Sequence, residues 1–443
     1  MHGPEDPTIA PVSPEPRTDE DQPVRWGPGF LLAIIGIALV AIVFTVAFMM
    51  LYLGLNEAVW ENDFVLANRW AIPAGVLLFS LLVGLCQKYL DAPTVIHGSI
   101  VESMKEGKIG HDYRTFPGAL LSSLASLLSG ASIGPEGTIG ILVGQVSFWI
   151  REKFRIGRES GSLQQGFDLA AMSSAFNGII GSPFFTGIFA TEYQIGKKDA
   201  LSFLTWNLVG GIVGYIFYLS LGLGSFAGMI PFPPLETLAP VMVLYAILLG
   251  VVGTLLALFT GISMKGIGQL VENTFGDRAI PRILAAGVII AAVGYFLPDL
   301  LFSGEMQIHS ILADPAAVGV TMLLVYAVLK ILLLALSFKS GYIGGPIFPV
   351  LFSATMVGLA LSLLFPGVPA GIFVLCIEAA AFALALGAPL SAILLVMVVS
   401  GPSPAMIILV VISATTALVL GGFFTQLKAR RTPKRAVPVA QPA

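Results

Sequence analysis

The chain has 443 residues, of which 56% are hydrophobic and 11% charged, and its formal net charge is -3. A mean hydropathy of +0.90 with so few charges excludes a soluble globular protein, because the surface could not be covered, and describes a polytopic membrane protein. That charge balance offers no basic footprint for a nucleic acid, and Cys86 and Cys376, far apart in apolar runs, offer neither a disulfide framework nor a thiolate metal site.

In chain order, residues 1–26 are rich in Pro, Asp and Glu and lack an apolar core, which predicts a disordered acidic tail and not a secretory signal. Residues 27–427 form the membrane domain. Its first half, about 27–230, carries apolar runs near 30–53, 71–85, 116–128, 139–150, 167–193 and 201–223. Its second half, about 236–427, carries runs near 238–259, 283–297, 318–337, 347–365, 371–399 and 406–424. Residues 428–443 form a tail with five bases between Lys428 and Arg435, which predicts a cytoplasmic C-terminus because basic flanks stay inside.

Several runs are too short to span, or are broken at Gly134-Pro135, Ser182-Pro183, Gly345-Pro346 and Ala388-Pro389. A spanning helix needs about 20 apolar residues, so broken helices are expected, and irregular backbone at membrane depth survives only where protein buries it or water lines it. The breaks recur in order. Gly134 is followed 47 residues later by Gly181-Ser182-Pro183, and Gly344 is followed 43 residues later by Gly387-Ala388-Pro389. Such spacing is the weak internal symmetry of transporters and channels built from repeats, whose site lies near the midplane.

Glu136, in the stretch Gly134-Pro135-Glu136-Gly137-Thr138, is the most informative residue. A carboxylate here costs roughly 2.5 to 3.5 kcal/mol on insertion scales. The start of a helix offsets that cost, since its free amides and positive dipole end hold a carboxylate or an inorganic anion equally well. Glu136 therefore reads as a tethered anion competing for an anion site; the alternative is a capping acid at a membrane surface. Ser340-Gly341-Tyr342-Ile343-Gly344-Gly345-Pro346-Ile347-Phe348-Pro349 in the other half lets backbone amides approach a ligand and opens a second helix toward the same point.

These residues resemble the CLC family of chloride channels and chloride/proton antiporters, in particular its short bacterial branch without cytoplasmic nucleotide-binding modules. The Glu136 segment is similar to the family's Gly-any-Glu-Gly-Pro motif, and Gly345-Pro346-Ile347-Phe348-Pro349 to its Gly-any-Phe-any-Pro motif. Asn177 to Glu192 resembles its Asn-Ala-Pro segment, and Gly387-Ala388-Pro389-Leu390-Ser391 resembles the counterpart. The resemblance implies an all-α fold of two inverted-topology halves with broken helices meeting at the midplane. It also implies a homodimer in the cell membrane with one anion path per subunit, Glu136 as the gate, and an anion held by Thr94, Gly134, Gly137, Gly345, Ile347 and Phe348. No cofactor and no metal are implied. The partners are chloride or another small monovalent anion, the bilayer, and protons if transport is coupled.

The sequence departs from the family pattern at informative places. Prolines 135 and 346 each remove an amide, Thr138 replaces a proline, and Thr94 stands in for the serine of the first anion-binding stretch. The pore tyrosine of the last helix is absent, leaving Phe423 or Phe424 to fill its volume. For protons the resemblance points to Glu192 and Tyr193, but Tyr193 occupies the antiporters' internal glutamate position, and a phenol with an unperturbed pKa of about 10 does not load and release protons at neutral pH. The expectation is a passive or weakly proton-coupled anion pathway, with a chloride or fluoride antiporter as the alternative. Lys330 and Glu378 lie inside apolar runs; Lys330 either supplies positive potential or snorkels to the interface, and Glu305 opens a helix. An intramembrane enzyme would need a partner group for Glu136 or Glu192, and no zinc motif, Asp pair or Ser/His dyad supplies one.

Overall fold

The computed structural model describes residues 27–93, 113–158, 161–193, 199–223, 226 and 230–431. Thr94 and both terminal tails beyond 27 and 431 lie outside the described residues. Helices of the first half are α1 (Pro28–Trp60), α2 (Asp63–Ala67), α3 (Ala71–Tyr89), α4 (Phe116–Leu128), α5 (Pro135–Phe154), α6 (Gly161–Ile180), α7 (Pro183–Glu192) and α8 (Ala200–Ser220). Those of the second half are α9 (Pro240–Phe275), α10 (Ala279–Phe296), α11 (Glu305–Ala313), α12 (Pro315–Val318), α13 (Val320–Ser340), α14 (Ile347–Leu364), α15 (Ala370–Ala385), α16 (Pro389–Ser400) and α17 (Pro404–Arg431). No strand occurs among the described residues; the sole β-type contact is an isolated antiparallel bridge between Gly134 and Gly345.

Eight of the described helices are long and apolar enough to cross a membrane. The longest, α1 and α9, have 33 and 36 residues, well beyond the minimum needed to span. The two halves run in matching order with inverted topology: α1, α3 and α4 correspond to α9, α10 and α13, and α5 through α8 correspond to α14 through α17. The packing repeats accordingly, with α6 against α1 and α8, and α15 against α9 and α17.

The proline breaks act as helix starts. The apolar run 167–193 divides at Gly181-Ser182, where Ser182 Oγ accepts from the Phe185 amide at 3.3 Å and Pro183 takes the first helical position, where its missing N–H costs nothing. The run 371–399 divides at Ala388-Pro389, where Pro389 again takes the first helical position, without a side-chain cap from Ala388. Without a hydrophobic force between helices in lipid, close backbone approach provides the packing. Gly214 of α8 shows this: a Cβ there would fall 2.5 Å from the Ser174 carbonyl oxygen of α6. Residues 166–180 of α6, 371–383 of α15 and the starts of α5 and α14 are deeply buried, and that is where the broken helices converge.

Candidate functional site

Two helix starts meet back to back at the centre. The Gly134 amide donates to the Gly345 carbonyl and the Gly345 amide to the Gly134 carbonyl, both at 2.8 Å, so the segments opening α5 and α14 are joined by a reciprocal, nearly symmetric pair of bonds. Thr138 Oγ1 donates to the Ile343 carbonyl at 2.9 Å, and the Ile343 amide donates to Ser126 Oγ of α4 at 3.0 Å. Gly137 permits the crossing, because a Cβ there would lie on the Gly344 carbonyl. The first-turn amides of α5 and α14 are thereby aimed into one small volume, where two helix dipoles favour negative charge.

Glu136 fills that volume. It is 3% exposed, and its Oε1 accepts from the Ile347 amide at 2.6 Å, at the first residue of α14. The Phe348 amide lies beside the same carboxylate. Oε2 has no hydrogen-bond partner among the described residues. Side chains at Gly134 or Gly345 would collide with this carboxylate, so the two glycines form its cradle. A short amide–carboxylate bond at a helix start is what a bound inorganic anion would make there, with the difference that this anion is tethered.

The expected anion-binding residues thus divide. Ile347 and Phe348 present amides; Gly134 and Gly345 spend theirs on each other and contribute space; Gly137 contributes the close approach. The Phe348 ring packs edge-on against Phe226, with centroids 5.4 Å apart. The structure does not bring Glu192 and Tyr193 to the Glu136 cradle. Glu192 accepts from the Leu390 and Ser391 amides at 2.8 and 2.9 Å and from Ser391 Oγ at 2.6 Å, capping the start of α16 from the other half. The Tyr193 hydroxyl donates to the Leu386 carbonyl at 2.9 Å.

Three readings from the sequence need correction or completion. Phe423 and Phe424, expected to take the pore tyrosine's volume, are 56% and 40% exposed on α17. Lys330 does not snorkel; it is fully buried, and its ammonium is held by backbone carbonyls. Ser126 was not foreseen as a support of the site, although Ser122, Ser126 and Ser129 recur at helical spacing in an otherwise apolar segment. Glu305 does open a helix, as the first residue of α11.

Residues 78–422 match the family model described as voltage gated chloride channel. The chain belongs to this family. Its members move ions across membranes, and anion transport is the activity of this multi-pass membrane protein. Among solved structures it is similar to a slow cyanobacterial Cl-/H+ antiporter, with a TM-score of 0.73 and 19% identity over 93% of this chain and 100% of that one. A CLC-type fluoride/proton antiporter matches with a TM-score of 0.72 and 20% identity over 89% of this chain and 95% of that one. A eukaryotic CLC transporter matches with a TM-score of 0.67 and 19% identity over 89% of this chain and 72% of that one. No curated protein matches significantly. At these identities the likeness establishes the shared fold, two inverted halves of broken helices.

Proposed function

We propose that this chain conducts a small monovalent anion, chloride in the first instance, through one path per subunit gated by Glu136. The supporting observation is the 2.6 Å bond from the Ile347 amide to Glu136 Oε1. An ionised Glu136 occupies the amides an anion needs; a protonated Glu136 loses the charge-assisted part of that bond and leaves them free. Anion and proton occupancy are then linked at one position, since a nearby anion raises the cost of ionising the carboxylate.

Transport is passive or weakly proton-coupled in this reading. Glu192 is committed to capping α16, and Tyr193 stands in the place of a second carboxylate. A proton-coupled reading has its own support in the Cl-/H+ and F-/H+ antiporters among the structural neighbours. Both halves of the site lie in one chain, which suits a homodimer with two separate paths, and the basic cluster after Leu427 suits a cytoplasmic C-terminus.

The test is chloride efflux from proteoliposomes with proton movement recorded in parallel. Glu136→Gln is expected to remove pH-dependent gating while preserving or raising flux, and pH dependence unchanged in that variant refutes the gate. A chloride gradient at equal pH decides the coupling: sustained uphill proton movement that stops in Glu136→Gln overturns the passive reading and selects the antiporter.

A further inference from the structure

Glu378 lies in the middle of α15, about 10 Å or more along the axis from either end and so out of reach of terminal amides. It is fully buried. Its Oε1 is 2.8 Å from Thr355 Oγ1 of α14, and its Oε2 has no hydrogen-bond partner among the described residues. Among those residues this is the sole side-chain hydrogen bond between α14 and α15. Elsewhere the two helices meet through close backbone approach: a Cβ on Gly358 would fall 2.6 Å from the Val374 Cα.

No charged group faces Glu378 from the helices packed against it. Neither α14 nor α16 carries a titratable side chain, and α17 carries none before Lys428. On α9 the titratable residues are Tyr245, Lys265 and Glu272. That helix meets α15 at Gly253, where a Cβ would lie 2.5 Å from the Ala380 Cβ, and all three stand at least about 12 Å along its axis from there. On α15 itself Cys376 is also buried, two residues back and about 200° round the helix. An ionised Glu378 would be a charge shielded from water with one hydroxyl for company, which is costly.

The hydroxyl is itself committed. Thr355 Oγ1 also lies 2.8 Å from the Leu351 carbonyl, one turn earlier in α14, the usual back-bond of a helical threonine. A hydroxyl has one proton to donate, and two acceptors stand at the same distance from it. Both contacts are hydrogen bonds when Glu378 carries a proton of its own: its O–H donates to Thr355 Oγ1, and the Thr355 O–H donates to the Leu351 carbonyl.

We propose that Glu378 is a positioning residue that works as a neutral acid, keeping its proton inside the membrane protein and fixing α14 through Thr355. The inference rests on Glu136 being the gate. Thr355 is about 12 Å along the same unbroken helix from Ile347, whose amide holds Glu136, so fixing α14 fixes that amide. Without the Glu378 bond α14 shifts more freely against α15, the ionised gate is held less firmly, and anion leaks past it.

The experiment uses the full chain in proteoliposomes, with infrared spectra at neutral pH and chloride efflux measured across pH. The unaltered chain is expected to show a carboxylic-acid carbonyl band that Glu378→Gln lacks; loss of a carboxylate band instead overturns the proposal. Glu378→Gln, whose side-chain N–H replaces the O–H, is expected to keep the efflux and pH midpoint of the unaltered chain. Glu378→Leu and Thr355→Val, which remove the bond, are expected to raise efflux about fivefold on the alkaline side of the midpoint, where Glu136 is ionised. Unchanged efflux in Thr355→Val, or a Glu378→Gln that leaks as Glu378→Leu does, overturns the positioning role. Should Glu378→Leu fail to fold, Thr355→Val decides. Glu136→Gln separates the two readings: if it retains pH dependence the gate itself fails, whereas a failed Glu378 bond leaves Glu136→Gln without pH dependence and Thr355→Val gating like the unaltered chain.

Discussion

Replacing Gly137 with alanine tests the crossing of the two helix starts. The added Cβ would overlap the Gly344 carbonyl and lie 2.5 Å from the Gly345 nitrogen, so it meets backbone and not the tip of a flexible side chain. The segments must part. Overpacking of this kind costs about 1–3 kcal/mol. Parting the segments also stretches the two 2.8 Å bonds between Gly134 and Gly345 and the 2.9 Å bond from Thr138 to Ile343, each contributing about 1 kcal/mol. A loss of about 3 kcal/mol is expected, and because the Ile347 amide moves with Gly345, the closed position of Glu136 is weakened as well. The assay pairs thermal unfolding in detergent with chloride efflux. Gly261→Ala on α9, where no atom lies within 4 Å of the new Cβ, is the control and is expected to be neutral or to stabilise by up to about 1 kcal/mol. Gly137→Ala with the melting temperature and flux of the unaltered chain would refute the crossing and the cradle built on it.

Other expectations concern the supports of the site. Glu192→Ala leaves the Leu390 and Ser391 amides without their acceptor and is expected to cost about 1–3 kcal/mol in thermal unfolding, while Glu192→Gln, which keeps one acceptor oxygen, costs less. Asp168 takes two bonds from Arg151, at 3.3 and 3.1 Å, and is 5% exposed, so Asp168→Asn should destabilise by about 3–5 kcal/mol, with Arg151→Met in the same background restoring part of the loss. Trp60→Phe removes the 3.0 Å indole bond to the Leu128 carbonyl, and about 1 kcal/mol of stability with it. A reporter fused after Leu427 is expected to be active only on the cytoplasmic side; activity solely on the opposite side would overturn the orientation.

The sequence by itself determined the class of molecule and the position of its breaks. Scarce charge and long apolar runs leave lipid as the only solvent for residues 27–427, and Pro135, Pro183 and Pro389 mark helix starts because proline fits the first turn and no later one. Glu136 was legible for a related reason, since a lone carboxylate between apolar segments must be held by something. Tertiary structure decided what holds it. Nothing local in the chain says that the Ile347 amide, 211 residues away, supplies the bond, or that Gly134 and Gly345 spend their amides on each other. The roles of Glu192 and Lys330 were likewise undetermined locally: the same carboxylate can carry protons or cap a distant helix, and the same ammonium can snorkel or sit among three carbonyls. Periodicity and breaks are properties of neighbours in sequence, whereas the partner of a buried charge is set by which two halves of the chain fold against each other, and the cost of leaving such a charge unpaired in lipid selects that arrangement.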